Sequence, residues 1–221
     1  MQTLDWNPIE QGLNSPKALL IGHDPRLQNS NTQAEFVLFA NYYFHNSIKD
    51  RSFKKKYGLA ASAINQLTHI TNGKIRPDEI YLTNLCNSAL PHAPKGKIVY
   101  IPEDKALQGY ENIKLILAKY PGIQYVFPMS LQVNYWLQKL GLYESGDSFM
   151  ELSSPKLKGV EHHPPYYEAK STKTFLMICG NQYPIIGSSH VVIPILHAKC
   201  FPLNETFKAY RPAYERIKTF F

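Results

Sequence analysis

The chain has 221 residues, of which 44% are hydrophobic and only 19% charged. That is enough apolar material for the core of one large α/β domain, and it excludes a disordered or low-complexity chain. The net charge is +7, from 24 Lys and Arg against 17 Asp and Glu, which favours an anionic partner without naming one.

In chain order, Lys17 to Gly22 reads as a short buried strand ending in glycine. Asp24-Pro25 opens a loop, and Asn29 to Thr32 offers caps for a helix over Ala34 to Tyr43. A second helix is expected from Leu59 to Ile70, stopped by Asn72-Gly73. Glu79 to Thr83 is the next strand, and Pro91, Pro94 and Gly96 then hold an irregular loop. Glu103 to Lys119 is a helix with Ile113, Ile116 and Leu117 on one face, stopped by Pro121-Gly122. Ile123 to Phe127 is a strand, and Ser130 caps a helix running to Leu140. Residues 144 to 172, with His162-His163-Pro164-Pro165, read as a long loop or hairpin insertion. Thr174 to Cys179 and His190 to Leu196 are expected strands, and Thr206 to Phe221 a closing helix. This alternation predicts one α/β domain over residues 1–221, a three-layer α/β/α sandwich with a central, mostly parallel sheet.

Three widely spaced cysteines, Cys86, Cys179 and Cys200, with no Cys-x-x-Cys pair, argue against a disulfide framework, a zinc ribbon or an iron–sulfur cluster. The glycines fit neither a dinucleotide-binding turn nor a phosphate loop, so no cofactor and no metal are expected. No apolar run reaches the roughly 18 residues of a membrane span. Met1 to Trp6 lacks the basic-then-apolar pattern of a signal peptide, so a cytoplasmic protein is expected.

Four stretches follow the apolar strands: Gly22-His23-Asp24-Pro25, Leu82-Thr83-Asn84-Leu85, Pro128-Met129-Ser130-Leu131-Gln132, and Leu196 to Phe201. In an open parallel sheet, residues just past the carboxyl ends of the strands line the rim where ligands bind. An acid (Asp24), an amide (Asn84) and an imidazole (His197) on one rim make a catalytic proposal. Taken singly, each has a plainer reading: a turn aspartate before proline, a strand-end asparagine capping a turn, a satisfied core histidine.

The ordered set resembles the uracil-DNA glycosylase superfamily, and is nearest to a divergent bacterial branch of it. That family has a first strand ending in Gly-Gln-Asp-Pro-Tyr, a middle strand ending in Asn, and a last strand ending in His-Pro-Ser-Pro-Leu. Here the counterparts are Gly22-His23-Asp24-Pro25-Arg26, Leu82-Thr83-Asn84 and His197-Ala198-Lys199-Cys200-Phe201, across about residues 17 to 205. Arg26 stands where the family carries the tyrosine that blocks the methyl group of thymine. Ala198 and Cys200 replace two prolines, and His23 replaces a glutamine whose backbone helps hold the base.

The resemblance implies cleavage of the N-glycosidic bond of uracil or another deaminated or damaged base, flipped from DNA into a pocket. Asp24 would activate water and stabilise the cationic sugar. Asn84 would read the base edge, and His197 would hydrogen-bond the departing base as negative charge develops. Gly22, His23, Pro25 and Arg26 would surround the base, with Phe36 stacking on it and Phe39 as competitor. Phe201 would wedge into the emptied stack. Pro91, Lys95, Ser130, Ser188, Ser189 and Lys199 would grip phosphates. A DNA partner and a monomer are expected.

Two basic clusters, Lys49 to Tyr57 and Lys208, Arg211, Arg216, Lys218, read either as solvated faces or as phosphate contacts. Two rival functions remain open at this point. One is a catalytically silent DNA-binding module on the same fold. The other is an unrelated small-molecule hydrolase using Cys200 as nucleophile near His197. A metal role for His197 and Cys200, three residues apart, lacks a second ligand pair.

Overall fold

The computed structural model describes residues 15–23, 58–87, 90, 98–160, 163–167 and 172–221. Its centre is a five-stranded sheet. Strands β1 (Ala18–Gly22), β2 (Ile80–Asn84), β4 (Tyr125–Pro128) and β8 (Val191–Val192) run parallel, and β7 (Tyr183–Pro184) is antiparallel to β8 at the edge. The spatial order is β2-β1-β4-β8-β7. All five residues of β1 and of β2 are buried. This is why neither alternates apolar with polar residues, and why β1 is apolar up to its closing glycine: a parallel strand covered on both faces has no solvent side to show.

Helix α1 (Gly58–Ile70) precedes β2, and α2 (Glu103–Lys119) precedes β4. The chain leaves β1 toward β2 on one side, then crosses back over β1 to reach β4 on the other. Right-handed crossovers in opposite directions put α1 and α2 on opposite faces of the sheet. Helix α6 (Arg211–Lys218) packs against α1. Helix α3 (Leu131–Lys139) lies beside the start of α2, with Lys139 paired to Glu103 at 3.1 Å. The expected α/β class, with a mostly parallel central sheet, is therefore observed. The strand order reverses between β1 and β4, and such a switch point leaves a crevice at the carboxyl ends.

α1 buries Ala63, Ile64, Leu67 and Ile70, one stripe of a 3.6-residue period. It stops where expected: Gly73 has φ +72° and donates to the Thr68 carbonyl at 2.8 Å. The bounds of α2 match the expected ones, Glu103 to Lys119.

Several expectations need correction. Thr174 to Cys179 is not a strand. Helix α5 (Thr172–Leu176) runs into a turn, with Cys179 N–H bonded to the Phe175 carbonyl at 3.0 Å. A five-residue apolar run does not by itself separate a strand from a buried helical turn. The closing helix is split into a 3₁₀ segment over Glu205–Tyr210 and α6. Pro212 lacks the N–H that would carry an α ladder through that point, so it starts a new helix instead. Ser130 holds the N-cap position of α3, but its side chain makes no capping bond.

Within 144 to 172, the expected irregular stretch, the structure has helix α4 (Asp147–Ser153) and a hairpin of β5 (Leu157–Val160) and β6 (His163–Tyr167). The short β3 (Ile98–Val99) pairs with β6 to give a second, antiparallel sheet in the order β3-β6-β5. The expected helix over Ala34 to Tyr43 and the loop around Pro91 lie outside the described residues. Among the described residues, no helix is long and apolar enough to cross a membrane.

Candidate functional site

The rim is fixed by the parallel ladder. Gly22 is the register partner of Asn84, so the last residues of β1 and β2 lie side by side. Beyond them, Leu85 N–H bonds to the Gly22 carbonyl and Cys86 N–H to the His23 carbonyl, each at 2.9 Å. Across the switch point, Met129 N–H bonds to the Ile21 carbonyl at 2.9 Å. Met129 also bridges to Ile195, and Ser130 N–H reaches the Ile195 carbonyl at 3.2 Å. His197 follows two residues later. The structure thus brings Gly22, His23, Asn84, Ser130 and His197 to one rim, at the carboxyl ends of four adjacent strands. Asn84 and Ile195 are three strand intervals apart, roughly 14 Å at the backbone at a spacing of about 4.8 Å.

Asn84 is 4% exposed. Among the described residues its Oδ1 has no hydrogen-bond partner. A buried amide oxygen left unpaired costs about 1–3 kcal/mol, so at this strand end Asn84 has an acceptor to offer a ligand.

His197 sits before a 3₁₀ turn over Ala198–Cys200, and its Nδ1 accepts from Lys199 N–H at 3.2 Å. A backbone N–H only donates, so Nδ1 carries the lone pair and Nε2 carries the proton. The ring is held as an N–H donor, which suits an oxygen gaining negative charge.

Ser130 has φ +78° and ψ 159°, a region populated almost wholly by glycine. It is held there by a buried polar network. Asn134 Nδ2 donates to the Pro128 carbonyl at 3.2 Å and the Ser130 carbonyl at 2.7 Å. The Tyr143 hydroxyl donates to Asn134 Oδ1, and Gln138 Nε2 donates to Tyr143. The buried Oγ of Ser130 has no partner among the described residues. Strain together with an idle hydroxyl at a switch point is the pattern of a binding loop rather than of a helix cap.

The remaining expected site residues divide. Asp24, Pro25, Arg26, Phe36, Pro91 and Lys95 lie outside the described residues, as do Phe39 and the Lys49 to Tyr57 cluster. Lys199 is exposed beside His197. Ser188 and Ser189 are not on this rim. They belong to the turn between β7 and β8, ahead of Val191, at the amino ends of the parallel strands. Phe201 is not a free wedge: its ring packs against His69 at 5.4 Å and Tyr214 at 6.4 Å, which anchors the loop to α1 and α6.

The second basic group is internally spent. Lys208 and Arg211 pair with Glu205, and Lys218 pairs with Glu215. Arg216 clamps the carbonyls of Cys179 and Gly180, each at 3.0 Å. Cys200 is half-buried, and that burial pushes its thiol above the usual range. Burial thus disfavours the thiolate, the form a nucleophilic cysteine needs. Among the described residues, no three His, Cys, Asp or Glu side chains gather into a metal site.

A second concavity of about 290 Å³ lies at the opposite rim, between α2, the end of α3 and the β7–β8 turn. Its polar groups are already engaged. Lys114 pairs with Glu111 at 3.1 Å and lies over the Tyr110 ring. His190 Nδ1 meets the Ile123 carbonyl at 2.6 Å, and the His190 backbone N–H donates to Ser188 Oγ at 3.2 Å.

Sequence reasoning missed Gln66, Asn134 and Tyr143. Gln66 is fully buried on α1, where its Nε2 donates to the Leu196 carbonyl at 2.9 Å. The available signal was a polar residue interrupting an apolar stripe. No protein-family model matches this chain, and a search of curated proteins returns no match either.

Proposed function

We propose that this protein is a uracil-DNA glycosylase-like hydrolase, cleaving the N-glycosidic bond of uracil or another deaminated or damaged base in DNA. The observation that carries the reading is the idle, buried Oδ1 of Asn84 on the same rim as the N–H of His197. An amide offers an acceptor and a donor together, matching the N3–H and O4 of a uracil edge. The backbones that carry the two side chains lie three strand intervals apart.

In this reading Asn84 holds the base while Nε2–H of His197 donates to a base carbonyl. As the bond from the sugar to the base nitrogen breaks, its electron pair passes to the base, and the His197 donor stabilises the resulting anion. Asp24, the residue after His23, takes a proton from water as the water oxygen bonds to the sugar carbon. Ser130, at the switch point, offers its hydroxyl to a phosphate. The net charge of +7 favours the nucleic-acid backbone.

The decisive experiment is a single-turnover assay at low salt on labelled strands. These carry uracil opposite guanine, uracil opposite adenine, single-stranded uracil, or thymine opposite guanine, and abasic sites are then cleaved with alkali. Release from the uracil strands, abolished by Asp24→Asn and Asn84→Ala, is expected, and the thymine strand reports what Arg26 permits. Salt-dependent binding with no release from any strand would instead favour the silent DNA-binding module. That rival draws on Arg26 and on the docked ring of Phe201.

A further inference from the structure

We propose that Gln66 is a positioning residue for His197, acting through the Leu196 peptide, with α1 as the platform for the whole His197 to Phe201 loop. This rests on the reading of His197 as the donor that faces the base.

Gln66 sits within the stripe of Ala63, Ile64, Leu67 and Ile70, and is itself fully buried. A polar side chain in that position costs free energy unless it is bonded. Its Nε2 makes two bonds, to the Leu196 carbonyl at 2.9 Å and to the Tyr214 hydroxyl at 2.5 Å. Burial holds the Tyr214 phenol far above its usual range, so it stays a neutral hydroxyl at physiological pH. Two elements, α1 and α6, therefore meet beside the Leu196 peptide through the Gln66 amide.

The next residue is His197. The Leu196 carbonyl belongs to the peptide that enters His197, so the Gln66 bond fixes the start of the turn that the Nδ1 bond to Lys199 N–H closes. Three residues along α1, His69 shares the face of Gln66 and contacts the ring of Phe201 at the far end of the loop. The loop is thus pinned at both ends by one helix.

Packing alone does not call for glutamine here. The Oε1 of Gln66 has no partner among the described residues, so a methionine would fill the volume without an idle acceptor. What methionine lacks is a donor to the Leu196 carbonyl. The amide is retained for direction rather than for stability.

The test uses the full chain with ¹⁵N-labelled histidine. NMR of the imidazole nitrogens reads the His197 tautomer, assigned by its loss in His197→Gln. In the wild type, His197 is expected as the Nε2–H form. Gln66→Met is expected to give a mixture of tautomers. It should also slow single-turnover base release about ten-fold or more, with the Kd for DNA unchanged. Tyr214→Phe, which keeps the bond from Gln66 to Leu196, should preserve the tautomer. If Gln66→Met does not fold, Gln66→Asn carries the test, since it withdraws the amide by one carbon–carbon bond while staying polar. An unchanged His197 tautomer in the folded variant overturns the proposal, as does an unchanged release rate in an active protein. A tautomer change in a protein that releases no base from any strand would sink the glycosylase reading and leave the positioning role standing.

Discussion

Gly109 lies in the middle of α2, where helix propensity alone says that alanine should be better by about 1 kcal/mol. The structure reverses that sign. A Cβ at Gly109 would fall 1.7 Å from the carbonyl oxygen of Leu85 and 2.6 Å from its carbon. Ordinary contact begins at 3.4 Å, so the helix or the strand end must give way by half that distance. Neither yields easily. Leu85 is tied to Gly22 through its N–H, and Cys86 to His23. The helix is keyed into the core by Ala106, Ile113, Ile116 and Leu117.

Overpacking of this kind costs about 1–3 kcal/mol and sometimes more. Backbone against backbone belongs at the top of that range, so after the propensity gain the net loss for Gly109→Ala is about 2 kcal/mol or above. For a chain of this length that lowers Tm by about 4–8 °C. Urea unfolding and a thermal melt, followed by circular dichroism, measure it. The displaced atom belongs to the residue after Asn84, so base release should fall as well. A Gly109→Ala protein as stable as the wild type, or more so, would refute the close approach of α2 to the rim.

Two further outcomes follow from the same geometry. Glu79 is buried against Lys17 at 2.8 Å, and the Lys17 and Arg76 hydrogen bonds hold its carboxyl below the usual 4.5. A carboxyl whose folded value is depressed stabilises above its unfolded value and loses that contribution as pH falls through the folded one. Wild-type stability should therefore decline below about pH 4.5. Glu79→Gln should be about 1.5–3 kcal/mol less stable at pH 7 and lack that part of the decline, as read by urea midpoints from pH 7 to 3. Ser130→Gly relieves a backbone conformation worth about 1–3 kcal/mol of strain. The variant should melt higher than the wild type while releasing base more slowly, and a lower melting temperature would contradict the strain at this residue.

Much of the fold was legible because continuous apolar runs followed by glycine or asparagine mark parallel strands, and because α1 and α2 carry clean 3.6-residue stripes. The failures have physical causes. Phe175 to Cys179 is apolar throughout, so its period is silent and only tertiary packing makes it helical. Val191–Val192 and Tyr183–Pro184 are too short to announce an antiparallel edge. For the site, the strand ends located Asn84 and His197, but Ser188 and Ser189 were assigned by resemblance of a loop, and loop composition does not say which rim a hairpin turn faces. Phe201 illustrates the same limit: an apolar residue after a histidine is equally a wedge or an anchor until its neighbours, His69 and Tyr214, are known.

The contrast between the two rims is the strongest argument for where function lies. Both border solvent, and both are crossed by the same strands. At the amino rim Glu79 is paired with Lys17 and Arg76. There too His190 is bonded through its ring and its backbone, and Lys114 is matched by Glu111. At the carboxyl rim the Oδ1 of Asn84 and the Oγ of Ser130 are both buried with no partner among the described residues. Elsewhere the Oε1 of Gln66 in α1 and the indole N–H of Trp136 in α3, whose ring meets Tyr100 and Tyr135, share that condition. Folding free energy selects against such atoms, and among the described residues Glu79, His190 and Lys114 at the opposite rim are all paired. On the proposed reading, the idle acceptor of Asn84 and the strained Ser130 at one rim are the groups that a bound base and its phosphate would complete.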